Sequence, residues 1–249
     1  MPSETIETGS HILVTIACLS DNYAFLLRDK ATGDVALIDV PEAAPIAAEL
    51  AIRGWTLSQI WLTHHHPDHI QGVSKLTAQY PAPLYGAAAD AHRLPALDVE
   101  LKEGDSFNLG ETPVHVIDVS GHTIGHIALQ APTARAAFTA DSLMALGCGR
   151  LFEGTPDQMY ASLAKMADWP DETLICSGHE YTTSNAKFAL TVEPENTNLQ
   201  ARSRDIDAAR TEGRFTVPSL MSLERATNPF LRATNATSFA EIRAQKDRF

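Results

Sequence analysis

Three cysteines in 249 residues, Cys18, Cys148 and Cys176, are too few and too scattered for a disulfide framework or a thiolate zinc site. A reducing compartment is the simplest setting for them, and the chain is expected in the cytoplasm. Long apolar runs are also missing. No stretch approaches the roughly 20 residues that a membrane-spanning helix needs, and the opening Met1 to Ser10 is too polar to read as a secretory signal. Positive charge is scarce: 19 Lys and Arg stand against 31 Asp and Glu, a formal net charge of −12. Nucleic-acid binding needs Lys and Arg to neutralise phosphates, so this balance argues against it. Internal repeats and low-complexity tracts are absent. Nothing marks a Ser or Cys as a nucleophile; Cys148 lies in a Gly-Cys-Gly turn, where close backbone packing accounts for it. What the chain does have is 44% hydrophobic residues, enough for a sizeable core as one domain with an appendage.

Charge and pattern both change near residue 180. Residues 1–180 hold 9 Lys or Arg against 23 Asp or Glu, whereas residues 181–249 hold 10 against 8. The first part alternates short strand-like runs with turns: His11 to Ala17, Tyr23 to Arg28, Val35 to Val40, Gln59 to Thr63, Val114 to Val119, Ile127 to Gln130, Ala136 to Thr139 and Thr173 to Cys176. Helical patterns fall at Ala43 to Arg53, Ile70 to Tyr80 and Pro156 to Trp169. Past Tyr181 the strand pattern fades, and Thr183 to Val192, Asn196 to Thr211 and Ser238 to Phe249 read as helices, with Pro194 and Pro218 as breaks. The expectation is an α/β body over 1–180 with layered sheets covered by helices, followed by a small helical domain over 181–249.

Four of the ten histidines crowd into Thr63-His64-His65-His66-Pro67-Asp68-His69. This run leaves a strand-like segment. If extended geometry continues briefly, His64 and His66 point one way and His65 the other. Two imidazoles on one side can share a metal ion, and Asp68 and His69, at the start of the next helix, offer a second pair. A solvated loop would gain nothing from four imidazoles and a carboxylate. Further ligands follow other strand-like runs at their carboxyl ends: His122, Asp141 and His179. Side chains there converge at one edge of a sheet structure. Five imidazoles and two carboxylates exceed what one zinc-like ion holds at four or five coordination, so two bridged metals are the economical inference, with Asp141 as the bridge. Zinc is the first expectation, and iron or manganese would accept the same nitrogen and oxygen ligands. His11, His92 and His115 lie alone and read as surface or satisfied core groups. His126 reads as either structural or an outer partner of a ligand. Asp39 reads as either a turn carboxylate or an acceptor from a ligand imidazole.

Thr63 to His69 resembles the Thr-His-x-His-x-Asp-His signature of the metallo-β-lactamase superfamily. That implies the αββα sandwich, here with a C-terminal helical domain. Narrower motifs are Leu19-Ser20-Asp21-Asn22-Tyr23, Gly147 through Thr155, Gly178-His179-Glu180-Tyr181-Thr182 and Asn228-Pro229-Phe230-Leu231-Arg232. Together they resemble the glyoxalase II family across nearly the whole chain. The resemblance implies one metal on His64, His66 and His122, another on Asp68, His69 and His179, and Asp141 between them, with Asp68 and Asp141 counted as catalytic. It implies that glutathione is held at Arg150, Phe152, Tyr181, Arg243 and Lys246. Some members carry Lys and Tyr where this chain has Arg150 and Phe152, and Trp is common in place of Pro67. Phe152 offers a ring or backbone, not a phenol hydroxyl.

The implied reaction is hydrolysis of S-lactoylglutathione, a 2-hydroxyacyl thioester, to glutathione and D-lactate, the second step of methylglyoxal detoxification. Two metals suit it: they acidify a bridging water to hydroxide near neutral pH and polarise the carbonyl. Thiolate leaves without a general acid. Arg243 and Lys246, three apart in a helical pattern, share a face and suit glutathione's two carboxylates. The expected partner is this small thioester alone, with no nucleic acid and no membrane, and the chain is expected to act as a monomer. Three rivals remain at this point: another hydrolase of the fold such as a lactonase, lacking the basic terminal helix; a persulfide dioxygenase with one iron; and a metal-binding module without catalysis.

Overall fold

The computed structural model describes residues 3–249, which form two compact units. The first runs to Asp118 and resumes over Gly125–Phe138; the second holds Val119–Ile124 and Thr139–Phe249.

In the first unit, β1 (Ser3–Thr8), β2 (His11–Cys18), β3 (Asn22–Asp29) and β4 (Val35–Ile38) form an antiparallel meander. Helix α1 (Ala43–Arg53) then crosses to β5 (Gln59–Trp61), which pairs parallel to β4. Two short helices follow, α2 (Pro67–Ile70) and α3 (Val73–Thr77), and then β6 (Leu84–Ala87) and β7 (Val99–Leu101), which continue the parallel half and complete a seven-stranded sheet. A second, antiparallel sheet holds β8 (Ser106–Leu109), β9 (Thr112–Asp118), β10 (Ile127–Ala131) and β11 (Ala136–Ala140).

Both faces of the seven-stranded sheet are buried, for different reasons. On one, Val14, Ile16, Leu26 and Leu37 pack with Ile46 and Leu50 of α1 and Val73 and Leu76 of α3. On the other, Phe25 and Trp61 meet Phe138 of the second sheet at ring-centroid distances of 5.8 and 6.0 Å, and Trp61 meets Phe107 edge-on at 5.3 Å. Burial on both faces explains why β3 and β4 read as continuous apolar runs and not as alternation. The helix expected over Ile70 to Tyr80 is in fact interrupted. The Gly72 N–H donates to the Val40 carbonyl at 2.9 Å and not up its own helix, so α2 stops and α3 starts afresh. Proline at the first position of α2 suits a helix start, since that N–H has no partner to lose.

The second unit carries the hairpin β12 (Leu143–Met144) and β13 (Gly147–Cys148), helix α4 (Pro156–Met166), strand β14 (Leu174–Ser177), helices α5 (Thr182–Val192) and α6 (Thr197–Thr211), strand β15 (Ser219–Leu220), and helices α7 (Met221–Thr227) and α8 (Ala236–Arg248). Helix α4 begins with a reciprocal cap between Thr155 and Gln158, and α8 with one between Asn235 and Ser238. The strand pattern does not end at Tyr181 after all: β15 pairs antiparallel with β14, Leu174 opposite Leu220.

A buried carboxylate organises this unit. Glu224, fully buried, pairs with Arg202 of α6 and accepts from Ser219 Oγ at 2.6 Å, the Leu146 N–H at 2.9 Å and Asn228 Nδ2 at 3.0 Å. Asn228 Nδ2 also donates to the carbonyls of Met144 and Gly147 at 3.1 and 3.0 Å. The hairpin is thus held by side chains about 80 residues further along the chain. Among the described residues no helix is long and apolar enough to cross a membrane.

Candidate metal centre

Within the first unit the histidine run is gathered and pinned. The ring of His64 lies 4.8 Å from that of His66 and 4.2 Å from that of His69, and His64 Nε2 faces His66 Nδ1 at 3.2 Å. Asp39 is the anchor. Its carboxylate accepts from the Thr63 N–H at 2.9 Å, from the Thr63 hydroxyl at 2.8 Å and from His69 Nδ1–H at 2.8 Å. The last bond leaves His69 Nε2 as the lone-pair nitrogen. The Thr63 hydroxyl, its proton given to Asp39, accepts from His64 Nδ1–H at 3.0 Å, so His64 Nε2 is an acceptor as well. Asp39, His64 and His69 bring potential ligand atoms within 4.8 Å of one another. Three donors already occupy Asp39, two of them on Oδ2, which suits it to orienting His69. Asn22, from the first of the short motifs, donates to Asp68 Oδ2 at 3.0 Å and to the Asp68 carbonyl at 3.1 Å. His126 lies flat against His64, 4.6 Å away at 12°, and His65 turns instead to Asp90.

The second unit gathers the other three. Asp141 Oδ2 stands 3.4 Å from His122 Nε2 and 3.3 Å from His179 Nε2, all three residues being buried. His122 Nδ1–H donates to the Arg150 carbonyl at 2.7 Å, which again leaves Nε2 as the lone-pair nitrogen. Gly149 makes this possible: a Cβ there would lie 2.0 Å from the Asp141 carbonyl oxygen and 2.8 Å from His122 Nδ1. Two aromatic rings flank the imidazoles. Phe152, exposed, stands edge-on to His122 at 5.3 Å, and Tyr181, half-exposed, stacks on His179 at 4.7 Å.

These side chains fit divalent metal. With metal–nitrogen bonds of about 2.0–2.1 Å, two donors on a tetrahedral ion sit roughly 3.3 Å apart. The pairs His64–His66, His122–Asp141 and His179–Asp141 are spaced at 3.2, 3.4 and 3.3 Å. Imidazoles whose far nitrogens are fixed by hydrogen bonds to a carboxylate, hydroxyl or carbonyl are the usual ligands of such a site.

The five residues expected at glutathione fall in the second unit. Arg243 is buried: it donates to the Cys148 carbonyl at 3.0 Å and to Asp247 at 2.9 Å, and lies over the Phe230 ring at 5.1 Å. Lys246 Nζ donates to the Ser184 carbonyl at 3.3 Å and sits 5.2 Å from the Phe188 ring. Burial, with Arg243 close by, lowers its pKa to about 8. Arg150 is mostly exposed, 3.6 Å from Asp247. Burial pushes the Cys148 thiol up to about 11, so it is no thiolate nucleophile at neutral pH. Sequence reasoning missed Glu224 and Asp90 altogether, and Asn228 was visible only as part of a motif.

Comparison with known proteins identifies the family. Residues 20–179 match the model of the metallo-beta-lactamase superfamily, and residues 180–249 that of the hydroxyacylglutathione hydrolase C-terminus. The hydroxyacylglutathione hydrolases of Ruegeria pomeroyi and Roseobacter denitrificans are 61% and 58% identical, each alignment covering 95% of this chain and 98% of the relative. Among solved structures, ETHE1 from Myxococcus xanthus superposes with a TM-score of 0.69 at 24% identity over 98% of this chain and 90% of its own, which concerns the fold alone. TTHA1623, solved in a di-iron-bound form, has a TM-score of 0.57 at 27% identity over 66% of this chain and 90% of its own. The fold is the metallo-β-lactamase fold with a C-terminal helical part. This chain belongs to the hydroxyacylglutathione hydrolase family of the metallo-beta-lactamase superfamily.

Proposed function

We propose that this protein hydrolyses S-lactoylglutathione and related 2-hydroxyacyl glutathione thioesters to glutathione and the 2-hydroxy acid, D-lactate in the first case. The observation that carries the reading is the near full-length identity to hydroxyacylglutathione hydrolases, which includes the C-terminal segment that a bare hydrolase of this fold would lack.

His64, His66 and His122 would hold one divalent ion, Asp68, His69 and His179 a second, and Asp141 would join them. Zinc suits the nitrogen and oxygen donors, and iron or manganese is accepted by the same set. Two such ions would acidify a bound water, to a pKa of about 7 in the case of zinc, and would polarise the substrate carbonyl. The chain's own part is positional. Asp39, Thr63 and the Arg150 carbonyl hold ligand imidazoles in one tautomer, so that no rearrangement is needed when substrate arrives. Arg150, Tyr181 and Lys246 would supply positive charge and donors for glutathione's carboxylates on a chain that is otherwise acidic. Arg243, already donating to the Cys148 carbonyl and Asp247, would add its charge, and Phe152 would offer its ring beside His122. The leaving thiolate is weakly basic and departs without a proton donor. Residues 181–249 are read as the substrate-binding domain and residues 1–180 as the catalytic one. The protein is placed in the cytoplasm as a monomer, which suits three buried, free cysteines.

The test is thiol release from S-lactoylglutathione by metal-replete protein, with elemental analysis of the same sample. Turnover with two metals per chain is expected. Metal binding without thiol release would overturn the reading.

A further inference from the structure

Asp90 ends a single 3₁₀ turn, Ala88–Asp90, well away in sequence from every ligand, and yet it is fully buried. One carboxylate oxygen accepts from His65 Nδ1–H at 3.0 Å; the other accepts from Arg93 Nε at 3.1 Å and from Arg93 Nη2. His65 is the residue between His64 and His66. The opposite side of the same carboxylate presses on Gly125, where a Cβ would come within 2.2 Å of Asp90 Cγ. Gly125 leads into His126, whose ring lies against His64, and the next N–H, that of Ile127, donates to the Thr63 carbonyl at 3.0 Å. A single buried charge therefore touches both stretches of chain that enclose His64.

We propose that Asp90 is a positioning residue for the metal-ligating run. By fixing the His65 ring it sets the backbone on either side, so that His64 and His66 face each other, and by filling the space against Gly125 it keeps His126 packed on His64. An ion pair with Arg93 alone would need neither contact. The inference rests on the reading of His64 and His66 as ligands, given above.

The experiment measures zinc affinity of metal-free protein by competition with a chromophoric chelator, beside urea unfolding of the same metal-free samples. Asp90→Asn keeps the size of the side chain and removes its charge. A zinc Kd weakened by 10–100-fold is expected in protein that remains folded, the usual effect of losing a partner that orients ligands. Lower stability of the metal-free protein with an unchanged zinc Kd would make Asp90 merely structural and overturn the proposal. If Asp90→Asn does not fold, Gly125→Ala decides: it alters neither His65 nor Arg93 chemically, and the nearest atoms its methyl group meets are those of the Asp90 carboxylate. The same weakening supports the proposal, and an unchanged Kd overturns it. Thioester turnover by the unaltered protein is scored separately, so failure of the hydrolase reading leaves this result standing.

Discussion

Replacing Glu224 by Ala removes four contacts at once from the interior of the second unit. The side chain is fully buried and answers Arg202, itself only 7% exposed, along with Ser219, the Leu146 N–H and Asn228. Truncation leaves a guanidinium in the interior without its counter-charge. Breaking a buried ion pair from one side costs about 3–5 kcal/mol, against a total domain stability of roughly 5–15 kcal/mol. For a chain of this size each kcal/mol moves Tm by about 2–4 °C, so a fall of roughly 6–20 °C is expected. Calorimetry reads it, and urea unfolding followed by circular dichroism checks that the slope is unchanged, as the comparison requires. Glu224→Gln, which keeps an acceptor oxygen, is expected to fall by less. The joint replacement Glu224→Leu with Arg202→Met is expected to recover much of the loss, because it leaves no charge stranded. A Tm within 2 °C of the parent for Glu224→Ala would refute the assignment of Glu224 as the anchor of the hairpin.

Four further outcomes are expected. Because Lys246 loses its proton near pH 8, KM for the thioester rises through that pH, by at most about tenfold per unit, as a positive partner for carboxylate is lost; Lys246→Arg, which stays charged, flattens the steady-state profile between pH 7 and 9.5. Asp247→Asn removes the carboxylate that Arg243 and Arg150 share, and a change in KM without a change in kcat is expected, read from initial rates at low and high salt; an unaltered KM would mean that Asp247 only staples its own helix. Asp39→Asn keeps the left-handed backbone at φ 55° that Asn tolerates while discarding the charge facing His69, so zinc affinity measured by chelator competition falls about 10–100-fold. Gly149→Ala forces the new methyl group into the Asp141 carbonyl, and displacement of that order costs about 100-fold in kcat at saturating substrate and metal.

The candidate ligand side chains were legible because their chemistry is local: three imidazoles and a carboxylate in six residues have no packing rationale, and each remaining candidate follows a strand that patterning had located. Strands such as β2 and β3 were legible because both are long and apolar. The short strands β6 and β7 were not, being four and three residues long with too little pattern to stand apart from loop. The one-helix reading of Ile70 to Tyr80 failed because the Gly72 N–H is taken by a carbonyl 32 residues earlier, which periodicity cannot register. Distance in sequence also hid the supports. His11 is satisfied by Thr112, His65 by Asp90 and Arg202 by Glu224, and none of these partnerships leaves a local mark. Arg243 shows the converse limit: helical spacing placed it on one face with Lys246, but it could not tell that Arg243 itself is buried against the Cys148 carbonyl.

The ties from Glu224 and Asn228 to the hairpin at 143–148 bear on how such a hydrolase can change its substrate. Arg150 and Phe152 leave that hairpin, and its backbone is gripped by groups from the chain's last quarter. A tail borrowed from another enzyme would arrive without Glu224 and Asn228, leaving the Leu146 N–H and the carbonyls of Met144 and Gly147 without the side chains that hold them. Grafting a new specificity onto this scaffold therefore means transplanting loop and tail as one inheritance, since either piece alone meets a foreign counterpart.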